Sequence, residues 1–170
     1  MNLHLPPPSV TVRLPRPGGG ASVTLRPLPI GFHRRLKERG LVPPSAPRRA
    51  ARDSAGRVLR DDAGLAVLTE DDATPAHLAA VDRYQERLAA LMIAESLGDE
   101  TALETPAPES DVGDWPAYAD AVLAELSEAG VTPGELAALC RGVCEASRLV
   151  GPAVAAEGES LFPCPAAAAP

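Results

Sequence analysis

Between residues 10 and 26 the chain alternates apolar and polar positions with a period of two, twice over. Val10, Val12 and Leu14 alternate with Thr11 and Arg13, and Val23 and Leu25 alternate with Ser22, Thr24 and Arg26. Successive side chains leave opposite faces of a pleated strand, so each run predicts a half-buried strand. The Pro/Gly-rich residues 15–20 between them predict the turn of a hairpin. A two-stranded hairpin is marginal in water and needs a cover. The nearest candidate is a short helix predicted over residues 30–39. Gly40 stands where a helix end calls for a left-handed residue, and Leu41 is placed to fold back onto Leu36.

Regularity fades over residues 41–73. A proline-rich opening leads into the basic run Arg48-Arg49-Ala50-Ala51-Arg52. Val58-Leu59 and Leu65-Ala66-Val67-Leu68, around the turn-like Asp61-Asp62-Ala63-Gly64, allow a second small hairpin. Otherwise the segment reads as an arm or linker.

Helical spacing then takes over. Thr74 as N-cap and Pro75 at the first helical position start a helix that runs to about Leu97. Its apolar stripe is Val81, Tyr84, Leu88 and Leu91, with Met92 at the edge. After an acidic linker over residues 99–113, a helix from about Pro116 carries Ala119, Val122, Leu123 and Leu126, and Gly130 ends it. Thr132, Pro133 and Glu135 form a capping-box start for the last helix. That helix carries Leu136, Leu139, Cys140, Val143, Ser147 and Val150, and Gly151-Pro152 ends it. The expected class is α+β: an N-terminal β-hairpin packed on a short helix, then a long helix and a C-terminal αα-hairpin. The expected divisions are a disordered start at 1–9, a hairpin–helix head at 10–40, the arm at 41–73, a helical domain at 74–151 and a disordered Ala/Pro tail at 152–170.

Composition adds two points. With 19 prolines, 14 glycines and five aromatic residues in 170, the usable core is smaller than the length suggests. The net charge of −7 conceals a split, since residues 1–60 carry +10 and residues 61–170 carry −17. Such asymmetry has two readings: the basic part meets an acidic surface, its own or a partner's, or the halves are simply two solvated faces of opposite sign. The opening lacks the cationic start and apolar run of a secretory signal, and no stretch is long enough to span a bilayer. The chain is therefore expected to be cytoplasmic and reduced.

Candidate chemistry is sparse. Gly18-Gly19-Gly20 lacks the following helix and Lys-Ser/Thr pair of a phosphate loop, so it reads as a turn. Cys140 and Cys144, with Cys164 or His33 as a third ligand, fall short of the four-ligand zinc pattern and read as free thiols. His33 and His77 have no nucleophile beside them in the sequence. The helix pair at 116–150 has the outline of a DNA-reading motif. However, its second helix opens Pro133-Gly134-Glu135 in an acidic region, which would repel phosphate. No catalytic residue, cofactor, metal, specific nucleic acid or membrane partner is expected. Binding through side chains is. Phe32 and Leu36, four apart on the short helix, are the candidate anchors, with Arg34 and Arg35 supplying charge. The same pair would equally serve to cover the hairpin.

Val10-Thr11-Val12-Arg13-Leu14, followed by Ser22-Val23-Thr24-Leu25-Arg26-Pro27-Leu28 and Ile30-Gly31-Phe32, resembles the opening of phage tail assembly chaperones. The segment from Leu126 to Pro133 with Glu135-Leu136 is similar to the last helix pair of such proteins. The resemblance covers residues 10–39 and 74–150, and the 41–73 arm departs from the family's compact form. It implies a non-enzymatic protein of the host cytoplasm, able to self-associate. Such a protein would bind and solubilise a helical tail client such as the tape-measure protein. The competing expectation is a small bacterial or prophage adaptor whose basic N-terminal region docks an acidic partner.

Overall fold

Strand β1 (Val10–Leu14) pairs antiparallel with β2 (Ala21–Leu25), in a computed structural model that describes residues 8–16, 19–97, 103–110 and 113–149. Val10 lies opposite Leu25, Val12 opposite Val23 and Leu14 opposite Ala21. Directly opposed residues share a face, so the apolar alternation of both strands converges on one side, as expected. The cover of that face is not the short helix. Helix α1 (Phe32–Glu38) sits elsewhere, and the hairpin is met by a later helix over residues 133–146 and by the end of a helix over residues 75–96.

These are α4 (Pro133–Ala146) and α2 (Pro75–Ser96). Leu14, Leu25, Ile93, Leu139 and Val143 form one buried cluster between hairpin and helices. Gly142 lets α4 come close: a Cβ there would stand 2.5 Å from Val12 Cγ2 and 2.9 Å from Leu25 Cδ1. Leu25 is fully buried, which contributes roughly 1.5–3 kcal/mol. Backbone bonds reinforce the seam, because the Arg26 N–H donates to the Ser96 carbonyl at 2.7 Å.

Phe32, Leu36 and Leu41 belong to a second cluster, with Ala90 and Leu91 of α2 and Trp115, Ala119 and Val122 of α3 (Trp115–Glu128). Gly40, at φ 82°, closes α1 as the sequence predicts, and the Leu41 N–H donates back to the Leu36 carbonyl at 2.9 Å. This turn sends Leu41 inward beside Leu36. The Arg39 guanidinium lies 3.6 Å from the centroid of the Trp115 ring, adding a cation–π contact at the edge of the cluster.

Helix α2 lies between the two clusters, so its last turns are buried on more than one side. Leu91 faces the first cluster, Ile93 the second, and half-buried Met92 packs against both. The predicted single stripe is therefore corrected. Val81, Tyr84 and Leu88 are only half-buried, while Ala90, Ile93 and Ser96 are fully enclosed.

The caps of α2, α3 and α4 are local. Thr74, Asp114 and Thr132 each accept a backbone N–H from three residues on. At Thr132 the reciprocal bond is also present, the Thr132 N–H donating to Glu135 Oε2 at 2.8 Å. Gly130 (φ 73°) ends α3, and the Val131 N–H returns to the Leu126 carbonyl. Helix α4 stops earlier than predicted. Ser147 caps it, its N–H still on the Val143 carbonyl and its Oγ accepting the Leu28 N–H at 2.9 Å, and Arg148 takes the left-handed position at φ 52°. The expected end at Gly151-Pro152 lies outside the described residues, as do most of the 1–9 segment, the 152–170 tail and much of the 99–113 linker.

Candidate functional site

The 41–73 segment is not a plain arm. Strand β3 (Arg48–Ala50) pairs antiparallel with β4 (Leu68–Glu70), and isolated bridges join Arg52 to Val58 and Arg60 to Ala66. The small hairpin expected between Val58 and Leu68 is present, but as one side of a closed triangle. The Leu59 N–H donates to the Ala51 carbonyl (2.8 Å), the Val67 N–H to Leu59 (3.0 Å) and the Ala51 N–H to Val67 (2.8 Å). Residues 51, 59 and 67 are thus linked in a ring, each eight positions from the last. Each strand segment pairs with one neighbour through its first half and with the other through its second. Closure satisfies backbone groups that an isolated hairpin would leave on open edges.

Two corners of the triangle are built alike. Asp53 Oδ1 accepts the Ala55 and Arg57 amides, and Asp61 Oδ1 accepts the Ala63 and Leu65 amides, all within 3.0 Å. Gly56 and Gly64 both sit at φ 80°, which a β-carbon would strain. Arg52 and Arg60 each donate to the glycine carbonyl four residues on, at 2.6 Å. These are Asx turns with a trailing glycine. At the third corner the chain enters and leaves, and the Asp71 N–H joins the two segments by donating to the Pro47 carbonyl at 2.8 Å. The signal was in the sequence as an eight-residue repeat: Arg52-Asp53-Ser54-Ala55-Gly56, then Arg60-Asp61-Asp62-Ala63-Gly64.

The triangle has apolar side chains without a core to receive them. Leu59 is 45 % exposed, Leu65 66 % and Leu68 58 %. Every residue from 61 to 70 is exposed. The alternation of strand side chains puts Ala51, Leu59 and Val67 of the ring on one face, with Leu65 beside them. Leu78, in the second turn of α2, adds a further exposed leucine.

The predicted anchors are placed differently. Phe32 and Leu36 are 4 % and 2 % exposed, so neither offers a surface to a partner. Nor do they cover the hairpin. They fill the seam between α1, α2 and α3, because the chain turns at Gly31 (φ 82°) before the helix begins. Arg34 remains exposed beside Glu38, and Arg35 reaches Glu95 of α2 at 3.5 Å. The sequence set these four residues on one helix, and tertiary packing divides them between interior and surface.

Charge asymmetry is met partly within the chain. Arg16 pairs with Glu135 (3.2 Å), Arg35 with Glu95 and Arg49 with Asp71 (3.2 Å), each joining a basic to an acidic half. The Thr132 amide, then its hydroxyl and Arg16, hold the Glu135 carboxyl below the usual carboxylate range. In the triangle, the Arg57 amide and guanidinium and the Ala55 amide do the same for Asp53. Burial raises the thiols of Cys140 and Cys144, which disfavours the reactive thiolate. Among the described residues no three His, Cys, Asp or Glu side chains gather as metal ligands, and no helix is long and apolar enough to cross a membrane. Comparison with protein-family models, curated proteins and solved structures finds no match to the chain.

Proposed function

We propose that this protein is a non-enzymatic phage or prophage tail assembly chaperone, acting in the host cytoplasm to bind and solubilise a helical tail client such as the tape-measure protein. The observation that carries the reading is that, while two clusters of apolar side chains are buried, most of the large apolar side chains left exposed lie on the triangle and at the start of α2, with Ile30, Val42 and Leu149 elsewhere. A chaperone needs uncovered apolar surface on a body that stays folded without its client. The resemblance of the hairpin and of the last helix pair to tail assembly chaperones supports the same reading. The adaptor alternative, in which the basic N-terminal region docks an acidic partner, has less support because Arg16, Arg35 and Arg49 already face carboxylates of the same chain.

Co-expression with the long helical product of a neighbouring tail gene tests the proposal. The client is expected in the soluble fraction, co-purifying with the wild-type chain. A Leu59→Asp/Val67→Asp variant with unchanged helical circular dichroism is expected to lose it. A client equally soluble with and without this chain would overturn the chaperone reading.

A further inference from the structure

The segment joining α2 to α3 is fastened to the body in an economical way. Residues 103–110 read Leu-Glu-Thr-Pro-Ala-Pro-Glu-Ser, and Pro106 and Pro108 have no N–H with which to bond a neighbour. The amides of Glu104 and Thr105 donate to the two oxygens of a single side chain, Glu125 of α3, at 2.7 and 2.9 Å. Farther along, the Trp115 indole donates its Nε1 proton to the Ser110 carbonyl at 3.1 Å. Leu103 rests half-buried on the cluster that holds Trp115 and Leu91. Beside the segment lies a cavity of about 100 Å³, bordered by Phe32, Arg39, Leu91, Ala107, Trp115 and Tyr118. Among the described residues these fastenings come from α3, apart from the Gly113 N–H, which donates to the Ser110 carbonyl at 3.1 Å, and none of them belongs to a helix or sheet ladder.

We propose that residues 103–110 form a strap that opens as a unit while the helices stay folded, with Glu125 as its latch and the Trp115 cleft as the surface it uncovers. Hydrogen bonds to a carboxylate are about twice as strong as neutral ones, so the two on Glu125 outweigh the neutral bonds that hold the other end of the strap at Ser110. Releasing the Glu125 pair leaves two amides that water can satisfy, since Glu104 is already exposed. The apolar loss on opening centres on Leu103, a small part of the core. Opening thus costs far less than global unfolding, the condition for a separately opening unit. The Thr105 hydroxyl and the two amides hold the Glu125 carboxyl below its usual range, because all three donate to its charged form. This device is independent of what the exposed triangle binds.

Native-state hydrogen exchange on the full chain tests the strap, and Trp115, the sole tryptophan, reports the cleft. In the wild type the Glu104 and Thr105 amides are expected to exchange with a weaker denaturant dependence than amides of α4. Glu125→Gln replaces one accepting oxygen with an NH2 group that cannot accept. It is expected to speed exchange at those two amides by about tenfold to a hundredfold and to leave α4 rates unchanged. Trp115 emission should become more open to acrylamide quenching. Wild-type strap amides that exchange only through global unfolding would overturn the proposal. So would a Glu125→Gln variant in which the strap amides keep their rates, or in which α4 accelerates as much as the strap.

Discussion

Two glycines of α4 should respond in opposite directions to the same substitution. Gly134 has open space around it, and nothing would touch an added Cβ within 4 Å. Alanine there restricts the unfolded chain and suits the helix, so Gly134→Ala should stabilise by about 0.4–1 kcal/mol. Gly142 faces the hairpin, where the added Cβ would stand 2.5 Å from Val12 Cγ2 and 2.9 Å from Leu25 Cδ1. Carbon atoms rest at about 3.5–4.0 Å, so the first contact is short by roughly 1 Å or more. Val12 is β-branched and stiff about χ1, and Leu25 is fully buried, so neither neighbour yields cheaply. Overpacking of this kind costs about 1–3 kcal/mol, against about 1 kcal/mol gained in helix propensity. With both neighbours held, the upper part of that range applies, and Gly142→Ala should destabilise by about 1–2 kcal/mol. Urea unfolding followed by far-ultraviolet circular dichroism measures both variants, provided the slope with denaturant is unchanged. Adding Val12→Ala to Gly142→Ala should recover part of the loss relative to the sum of the single changes. If both glycine variants move the midpoint upward, α4 does not approach the hairpin through Gly142 and the packing described for that seam is wrong.

Three further outcomes are expected. Thr132→Ala removes the side-chain acceptor of the capping box and should cost about 1 kcal/mol, read as a lower urea midpoint; an unchanged midpoint would contradict the cap. Replacing residues 48–70 with a short Gly-Ser link should leave the helical circular dichroism of the body intact, because the Pro47 carbonyl and Asp71 amide already meet at 2.8 Å; a variant that fails to fold would show the triangle to be structural. Asp120 accepts both Arg87 Nε and Nη2, at 2.7 and 2.6 Å, and that guanidinium lowers its carboxyl below the ordinary value. A lowered folded-state value means stability present above the unfolded carboxylate pKa and lost as pH falls through the folded one. Wild type should therefore exceed Asp120→Asn by under about 1 kcal/mol at pH 7, since the carboxylate is 36 % exposed, and the gap should close in acid. A gap that stays constant down to pH 2 would remove the ion pair as its cause.

What the sequence by itself determined is whatever closes within a few residues. Thr74, Thr132 with Glu135, Gly40 and Gly130 mark helix ends because the bonds at these ends span three to five positions, so the partner is fixed by the chain. The hairpin is legible for a related reason: a period of two commits alternate side chains to one face whatever lies opposite. Of the triangle only the turn at Asp61–Gly64 is read from the sequence, although its counterpart at Asp53–Gly56 is equally local. The closure of the triangle was not legible, because the Ala51 to Val67 bond joins residues sixteen apart and depends on all three sides bending together.

Periodicity states that a face is apolar and leaves open what meets it. Tertiary structure decided that Gly142 carries α4 onto the hairpin and that Phe32 and Leu36 face α2 and α3. Helix α2 shows the reason most directly. Its stripe predicts one buried side, yet its last turns lie between two clusters, and burial there follows from neighbours supplied by both ends of the chain. The end of α4 combines both: Arg148 in the left-handed position and the Leu149 N–H on the Cys144 carbonyl close it locally, while the Ser147 hydroxyl receives the amide of Leu28, a residue 119 positions away that no local pattern could indicate.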